Sequence, residues 1–189
     1  MRRAGIYSGG FHTKTQENIP MAKIHEVEGD ILLSGAQAIA HGIAPSDHFD
    51  SGLALALRER WPSLAKDFRH YCHLNHPKPG DIWAWNGVAS AGGAVQIINL
   101  MTQEPAANAT GGHPGKASTE YVGRALRALG HYAQKENLRS LALPRLATGV
   151  GGLDWAEVKP LIAHHLANLD IPVYVYVVYH KDQKAAENA

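Results

Sequence analysis

Short apolar runs alternate along this chain with longer stretches whose apolar residues recur every three or four positions. The short runs predict strands at 23–27, 37–41, 81–85, 94–100, 139–144 and 172–179. The longer periodic stretches predict helices at 52–60, 63–73, 117–136 and 155–168. Within 117–136, Tyr121, Ala125, Leu129 and Tyr132 fall on one helical stripe, as expected of a face turned to a core. The run from Pro172 to Tyr179 is almost continuous Val and Tyr, which suits a strand covered on both faces. The strands at 81–85 and 94–100 read as a hairpin, so the sheet is expected to be mixed. The pattern predicts one α/β sandwich with helices on both faces of a mixed central sheet.

Two strand-to-helix junctions share a design. Leu138 to Leu143 is an apolar run that stops at Pro144, and Gly149, Gly151 and Gly152 follow shortly after. A helical pattern begins at Trp155, and Asp154 and Glu157 have the spacing of a capping box. A strand, a glycine-rich turn and a helix N-terminus together make an anion site, because backbone N–H groups point outward from a positive helix end. The ordinary alternative is a tight turn before a helix. No Gly-Lys-Ser/Thr follows, and the dinucleotide glycine spacing is absent, so neither of those phosphate motifs applies. The second junction runs from Ala38 through His41, Gly42, Ile43 and Ala44 to Asp47, Asp50, Ser51, Gly52 and Leu53. Two such loops are suited to hold a diphosphate and its attached sugars between them.

At this point the residues resemble the macro domain family. The match runs through Gly29-Asp30-Ile31-Leu32, Ala40-His41-Gly42-Ile43 and Ser51-Gly52-Leu53-Ala54. It continues through Arg60-Trp61-Pro62, Ile98-Asn99-Leu100, Pro144-Arg145-Leu146, the 148–155 loop and Val175-Tyr176. Order and spacing look most like the branch containing terminal ADP-ribose protein glycohydrolase and bacterial DNA ADP-ribosyl hydrolases. The resemblance spans roughly residues 22–180. It implies a single three-layer domain over 21–180, with tails at 1–20 and 181–189 outside the core. It also implies ADP-ribose as ligand and ADP-ribosylated protein or DNA as substrate. Asp30, with Ile31, would meet the adenine; the ordinary role of Asp30 is a turn or helix cap. Tyr176 would line the adenine pocket, with core packing as its alternative and Tyr174 and Tyr179 as rivals. Gly42, Ile43, Ala44, Ser51, Gly52 and Leu53 would flank the phosphates from one side. Thr148, Gly149, Val150, Gly151, Gly152 and Leu153 would flank them from the other.

Composition narrows the setting more than the chemistry. The 189 residues are 45% hydrophobic and carry a formal net charge of +1, so there is enough apolar material for a core and no broad electrostatic case for nucleic-acid binding. A single cysteine, Cys72, excludes an internal disulfide and suits a reducing, cytoplasmic setting. No apolar run reaches the roughly 18–20 residues of a membrane span, and residues 1–20 lack the apolar core of a secretory signal. A monomer with no membrane partner and no cofactor is expected. His70, Cys72, His73 and His76 invite a metal reading, but no second ligand pair with suitable spacing accompanies them, so no metal is expected. The stretch from Gln103 to Lys116 is the longest candidate loop, and loops of that length are commonly functional or mobile.

Catalysis is where resemblance and residues separate. The glycohydrolase of this branch resembles a lysine-nucleophile enzyme, with its lysine directly after a strand end. The matching run here is Leu100-Met101-Thr102-Gln103, which puts a glutamine there; an amide is not a nucleophile. The aspartate of that enzyme aligns with Gly151. Lys116 is a weak substitute, because a nucleophilic lysine needs surroundings that lower its pKa. Direct hydrolysis remains, with a water attacking C1″ of the distal ribose, and the alternatives are a non-catalytic ADP-ribose reader or an ADP-ribose 1″-phosphate phosphatase. Asp50 is the first candidate to orient that water, with an N-cap of helix 52–60 as its alternative. Asp47, His41 and Gln103 follow.

Overall fold

A computed structural model describes residues 23–108 and 113–188. The expected tail at 1–20 and the centre of the 103–116 loop lie outside the described residues. Six strands, β1 (Lys23–Gly29), β2 (Ala38–Ile43), β3 (Ile82–Val88), β4 (Ala94–Met101), β5 (Leu141–Pro144) and β6 (Pro172–Tyr179), form one sheet. Their order is β1-β6-β5-β2-β4-β3, parallel throughout except for the β3–β4 hairpin. The helices are α1 (Gly52–Arg60), α2 (Pro62–Asn75), α3 (Thr119–Lys135) and α4 (Trp155–Leu166), with one 3-10 turn at Ile31–Leu33. The expected α/β sandwich with a mixed sheet is what forms.

Side-chain alternation along each strand feeds two cores. Val173 and Val175 of β6 join Leu126, Leu129, Val158 and Ile162 beneath α3 and α4. Tyr174 and Tyr176 of the same strand point the other way, with Ile39, Phe49, Leu64 and Phe68 beneath α1 and α2. The α3 stripe is rotated from the expected one. Val122, Ala125, Leu126, Leu129 and Ala133 are buried, while the Tyr121 hydroxyl reaches Glu104 and that of Tyr132 donates to Gln96 at 2.6 Å. The tyrosines keep their polar ends at the margin of the core, where a partner is available.

Parallel strands place the C-terminal ends of β2, β5 and β6 together, and the strand-to-helix loops meet there. The β4 end leads into Gln103, which forms an isolated bridge with Ala117. Backbone bonds Glu104–Lys116 and Gly115–Glu104 zip the two stems of the 103–116 loop.

One expectation fails. Residues 181–188 do not stand apart from the core. Asp30 N–H donates to the Gln183 carbonyl at 2.7 Å, Asp182 N–H donates to the Asp30 carboxylate at 3.0 Å, and Ala185 packs on the α1/α2 core. The run is polar and aperiodic, so nothing in its pattern announces a surface it will follow.

Candidate active site

Three cavities lie along the C-terminal edge of the sheet and share walls. The first, about 440 Å³, is bounded by Gly29, Asp30, Ile31, Leu32, Tyr176 and Tyr179. A middle cavity of about 260 Å³ shares Gly52, Leu53 and Pro144 with it and reaches His41, Gln103 and the Gly149–Gly151 turn. The third, about 570 Å³, shares Asp47, Ser51 and Pro114 with the middle one and extends over Asp50, His48, Asn108 and His113. Together they make one cleft whose chemistry changes along its length.

At the first end, Asp30 is buried and caps the 3-10 turn. Its carboxylate accepts from Leu32 N–H at 3.0 Å and from Asp182 N–H at 3.0 Å, one bond on each oxygen. Each oxygen keeps a free lone pair for a ligand donor. Asp30 is therefore a cap of the 3-10 turn that also borders the cavity. Tyr176 borders the cavity and donates its hydroxyl to Glu187 at 2.5 Å; burial, then that bond, raises its pKa. Tyr179 stands exposed at the rim.

The middle is built from backbone. The α1 helix opens at Gly52, whose φ of +56° and empty Cβ direction suit glycine. The unpaired first-turn N–H groups of α1 face the cavity with the positive end of the helix dipole. Opposite, Gly152 N–H donates to Gly149 O at 3.1 Å and Leu153 N–H to Ala147 O at 3.0 Å. Among the described residues the N–H groups of Gly149, Val150 and Gly151 have no such backbone partner, and all three residues line the cavity. The glycines differ in role. A Cβ on Gly149 would meet nothing within 4 Å, whereas one on Gly151 would meet Ala147 O at 2.6 Å and Ala117 Cβ at 2.9 Å. Gly149 opens toward the cavity; Gly151 lets the turn close. Arg145, stacked 5.5 Å above the Trp155 ring, adds a cation to this wall.

Of the residues expected here, Gly42, Ile43, Ser51, Gly52, Leu53, Gly149, Val150 and Gly151 line the middle cavity, and Ala44 lines the third. Thr148, Gly152 and Leu153 do not border the cleft. Thr148 donates its hydroxyl to Arg145 O, Gly152 closes the turn, and Leu153 packs on the α3/α4 core. They shape the loop from behind.

His41 is buried, and its Nε2 lies 2.7 Å from Asn99 Oδ1. The Asn99 amide nitrogen donates to the Trp83 and Ile97 carbonyls, which turns its oxygen toward the histidine. His41 is thus a neutral Nε2–H donor. Burial pulls its pKa down to about 4, against a smaller raising effect of Asn99. Its ring packs 5.9 Å from that of Phe49, which packs 5.3 Å from Phe68. Gln103, in the lysine position, is buried and donates Nε2 to Gly115 O at 3.0 Å, holding the loop stem.

The two aspartates of the far end differ. Asp50 does not cap α1; Ser51 occupies that position, and Asp50 pairs with Arg58 at 2.6 Å with its side chain 67% exposed. Asp47 is half-buried, accepts from Phe49 N–H at 2.7 Å, and borders both the middle and the third cavity. Burial raises its pKa first; the Phe49 bond opposes this, and Asp50 adds to it. Ser46 and Phe49 both sit at φ +59°, a strained setting for a serine and an aromatic. The buried Phe49 ring holds that turn in place. This turn, and the direction it gives each carboxylate, has no glycine to announce it in the sequence.

Comparison with known proteins gives the class. The Macro domain model matches residues 46–162, and the chain belongs to that family. It is 25% identical over 162 residues to a DNA ADP-ribosyl transferase–DNA ADP-ribosyl glycohydrolase fusion protein of Thermosipho africanus, covering 82% of this chain and 42% of that protein. It is 28% identical over 151 residues to the DNA ADP-ribosyl glycohydrolase of Thermus aquaticus, covering 79% and 40% respectively. The chain thus spans less than half the length of these relatives. Among solved structures, the macrodomain of Thermus aquaticus DarG superposes with a TM-score of 0.70 at 26% identity, over 82% of this chain and 97% of that one. Thermosipho africanus DarTG in complex with ADP-ribose has the same fold, with a TM-score of 0.70 at 21% identity, over 86% and 43%. No described helix is long and apolar enough to cross a membrane.

Proposed function

We propose that this chain binds ADP-ribose along the cleft and hydrolyses it from modified DNA or protein without a lysine nucleophile. The observation that carries this reading is the graded cleft itself. An apolar cavity with one buried carboxylate suits adenine, and free backbone N–H groups with Arg145 suit a diphosphate. The carboxylate-bearing far cavity suits a distal ribose and what is attached to it. Relatives named for DNA ADP-ribosyl glycohydrolase activity support the same ligand and favour modified DNA among the substrates.

The far end supports direct attack by water. Asp47 stands where the middle cavity opens into the far one, and a carboxylate with a raised pKa is a better proton acceptor than an ordinary one. Asp47 therefore takes the water-orienting role ahead of Asp50, whose charge is compensated by Arg58. As the water oxygen bonds to C1″, the bond from C1″ to the acceptor breaks. The water proton moves toward Asp47, and the leaving group takes up a proton from solvent. Gln103 holds the loop that roofs the site, and neutral His41 supports the Phe49 turn beneath Asp47.

A second reading, a binder without catalysis, draws support from Gln103 and Gly151 at the lysine and aspartate positions. Incubation with thymidine-linked, glutamate-linked, serine-linked and 1″-phosphate ADP-ribose separates the two. Release of free ADP-ribose from the thymidine- or glutamate-linked form is expected, with no adduct on the protein, Lys116 included, after cyanoborohydride trapping. Tight ADP-ribose binding with no release from any substrate would leave the binder.

A further inference from the structure

The segment after β6 makes a concentrated set of contacts around the first cavity. His180 N–H donates to Gly29 O at 3.2 Å, Asp30 N–H to Gln183 O at 2.7 Å, and Asp182 N–H to Asp30 Oδ2 at 3.0 Å. The Glu187 carboxylate then receives three donors: the Ser34 hydroxyl at 2.5 Å, Gly35 N–H at 2.9 Å and the Tyr176 hydroxyl at 2.5 Å. Gly29 is fitted to this arrangement. Its φ is +153°, and a Cβ there would lie 2.8 Å from both Ala185 N and Gln183 O.

We propose that residues 180–187 are a strap that positions the adenine-facing groups of the cleft, with Glu187 as its anchoring residue. The proposal rests on the ADP-ribose reading above. It adds that base discrimination is set from outside the cleft, because neither oxygen of Asp30 is free to turn while Asp182 is held. Glu187 does not border the cavity. It acts through Tyr176 and through the 34–35 backbone, which leads out of the 3-10 turn that Asp30 caps. A carboxylate with three donors is strongly ordered, so the strap is fixed at its far end as well as at Asp182.

The test compares ADP-ribose with inosine diphosphate ribose, in which the exocyclic amine that Asp30 would accept from is replaced by a carbonyl. The full chain is expected to prefer ADP-ribose by about tenfold, since a buried carboxylate facing a carbonyl leaves both without a donor. Glu187→Ala should bring that ratio close to one by weakening ADP-ribose alone. Glu187→Gln, whose single oxygen can still accept from the Ser34 and Tyr176 hydroxyls but whose amide nitrogen cannot accept from Gly35 N–H, should restore part of it. Ser34→Ala gives a milder version if Glu187→Ala folds poorly. A ratio unchanged in both alanine variants, or equal weakening of both ligands, overturns the strap. If the unaltered chain binds neither ligand, the ADP-ribose reading itself fails and takes the strap's role with it.

Discussion

The Asp30 end and the Asp47 end of the cleft each present a carboxylate to a cavity, by opposite means. Asp30 is buried, held by one backbone N–H from its own turn and one from Asp182, and set in regular turn geometry. Asp47 is half-buried, held by one N–H, and carried on a turn with two residues in the left-handed region. The first arrangement fixes an acceptor, with one backbone N–H on each oxygen. The second keeps a carboxyl partly desolvated and beside Asp50, which raises its proton affinity. Recognition tolerates a rigid, satisfied carboxylate; water activation needs one that is not fully satisfied.

The largest effect that separates the ends is expected at Asp47. Asp47→Ala should lower turnover by ~10²–10⁴-fold with little change in ADP-ribose affinity, because a group acting on water contributes mainly in the transition state. Asp50→Asn should cost less than about tenfold, since its pair with Arg58 is exposed and weak. Equal losses in the two variants, measured by single-turnover kinetics, would erase the distinction between the aspartates.

Between the ends, Gly149→Glu places a carboxylate in the open middle cavity. Repulsion from a diphosphate at ~4 Å is worth about 4 kcal/mol at an effective dielectric of 20, so calorimetry should find affinity reduced more than a hundredfold with the melting temperature held. Gly151→Glu should lower affinity and melting temperature together, because its Cβ meets Ala147 O at 2.6 Å. If Gly151→Glu melts like the unaltered chain, that turn is not closed as described.

Acid should loosen the Asp47 end. His41 is held neutral with a pKa of about 4 against an ordinary 6.5, so the unfolded chain takes up its proton first as pH falls. Its contribution is complete above pH 6.5 and is lost as pH falls toward 4. The loss amounts to about 3 kcal/mol from a shift of that size. Denaturant midpoints at pH 7 and 4.5 should therefore separate more in the natural chain than in His41→Gln. A gap of equal size in both would assign the acid sensitivity elsewhere.

The smallest effect on binding belongs to Asp30. Asp30→Ala should raise the dissociation constant by about tenfold, the worth of a buried hydrogen bond, and leave turnover at saturation intact. Collapse of turnover with affinity held would move Asp30 from recognition to chemistry.

The sheet and its helices were legible because period-2 and period-3.6 patterns report directly on which faces are covered. Most of the middle cavity was legible too, since glycine runs before a helix announce exposed amides. Thr148, Gly152 and Leu153 looked equivalent to Gly149 in sequence, yet only the direction of each residue in the closed turn separates cleft from scaffold. The difference in setting between Asp47 and Asp50 was hidden for a related reason. It depends on Ser46 and Phe49 adopting a conformation their residue types disfavour, which the buried Phe49 ring enforces. Lys181–Asn188 escaped notice because its partners lie roughly 150 residues earlier in the chain.

That separation has a kinetic side. β1 is paired only with β6, with Lys23 opposite Pro172, so the pocket around Asp30 joins the two most distant stretches of the described chain. Closing so long a loop is entropically late work in folding, and during synthesis β6 emerges after the other five strands. The amide-lined middle needs only β2, β4, β5 and the helices that follow them. Competence to hold a phosphate should therefore arise before competence to read a base, and a folding protein should acquire its selectivity as its final step.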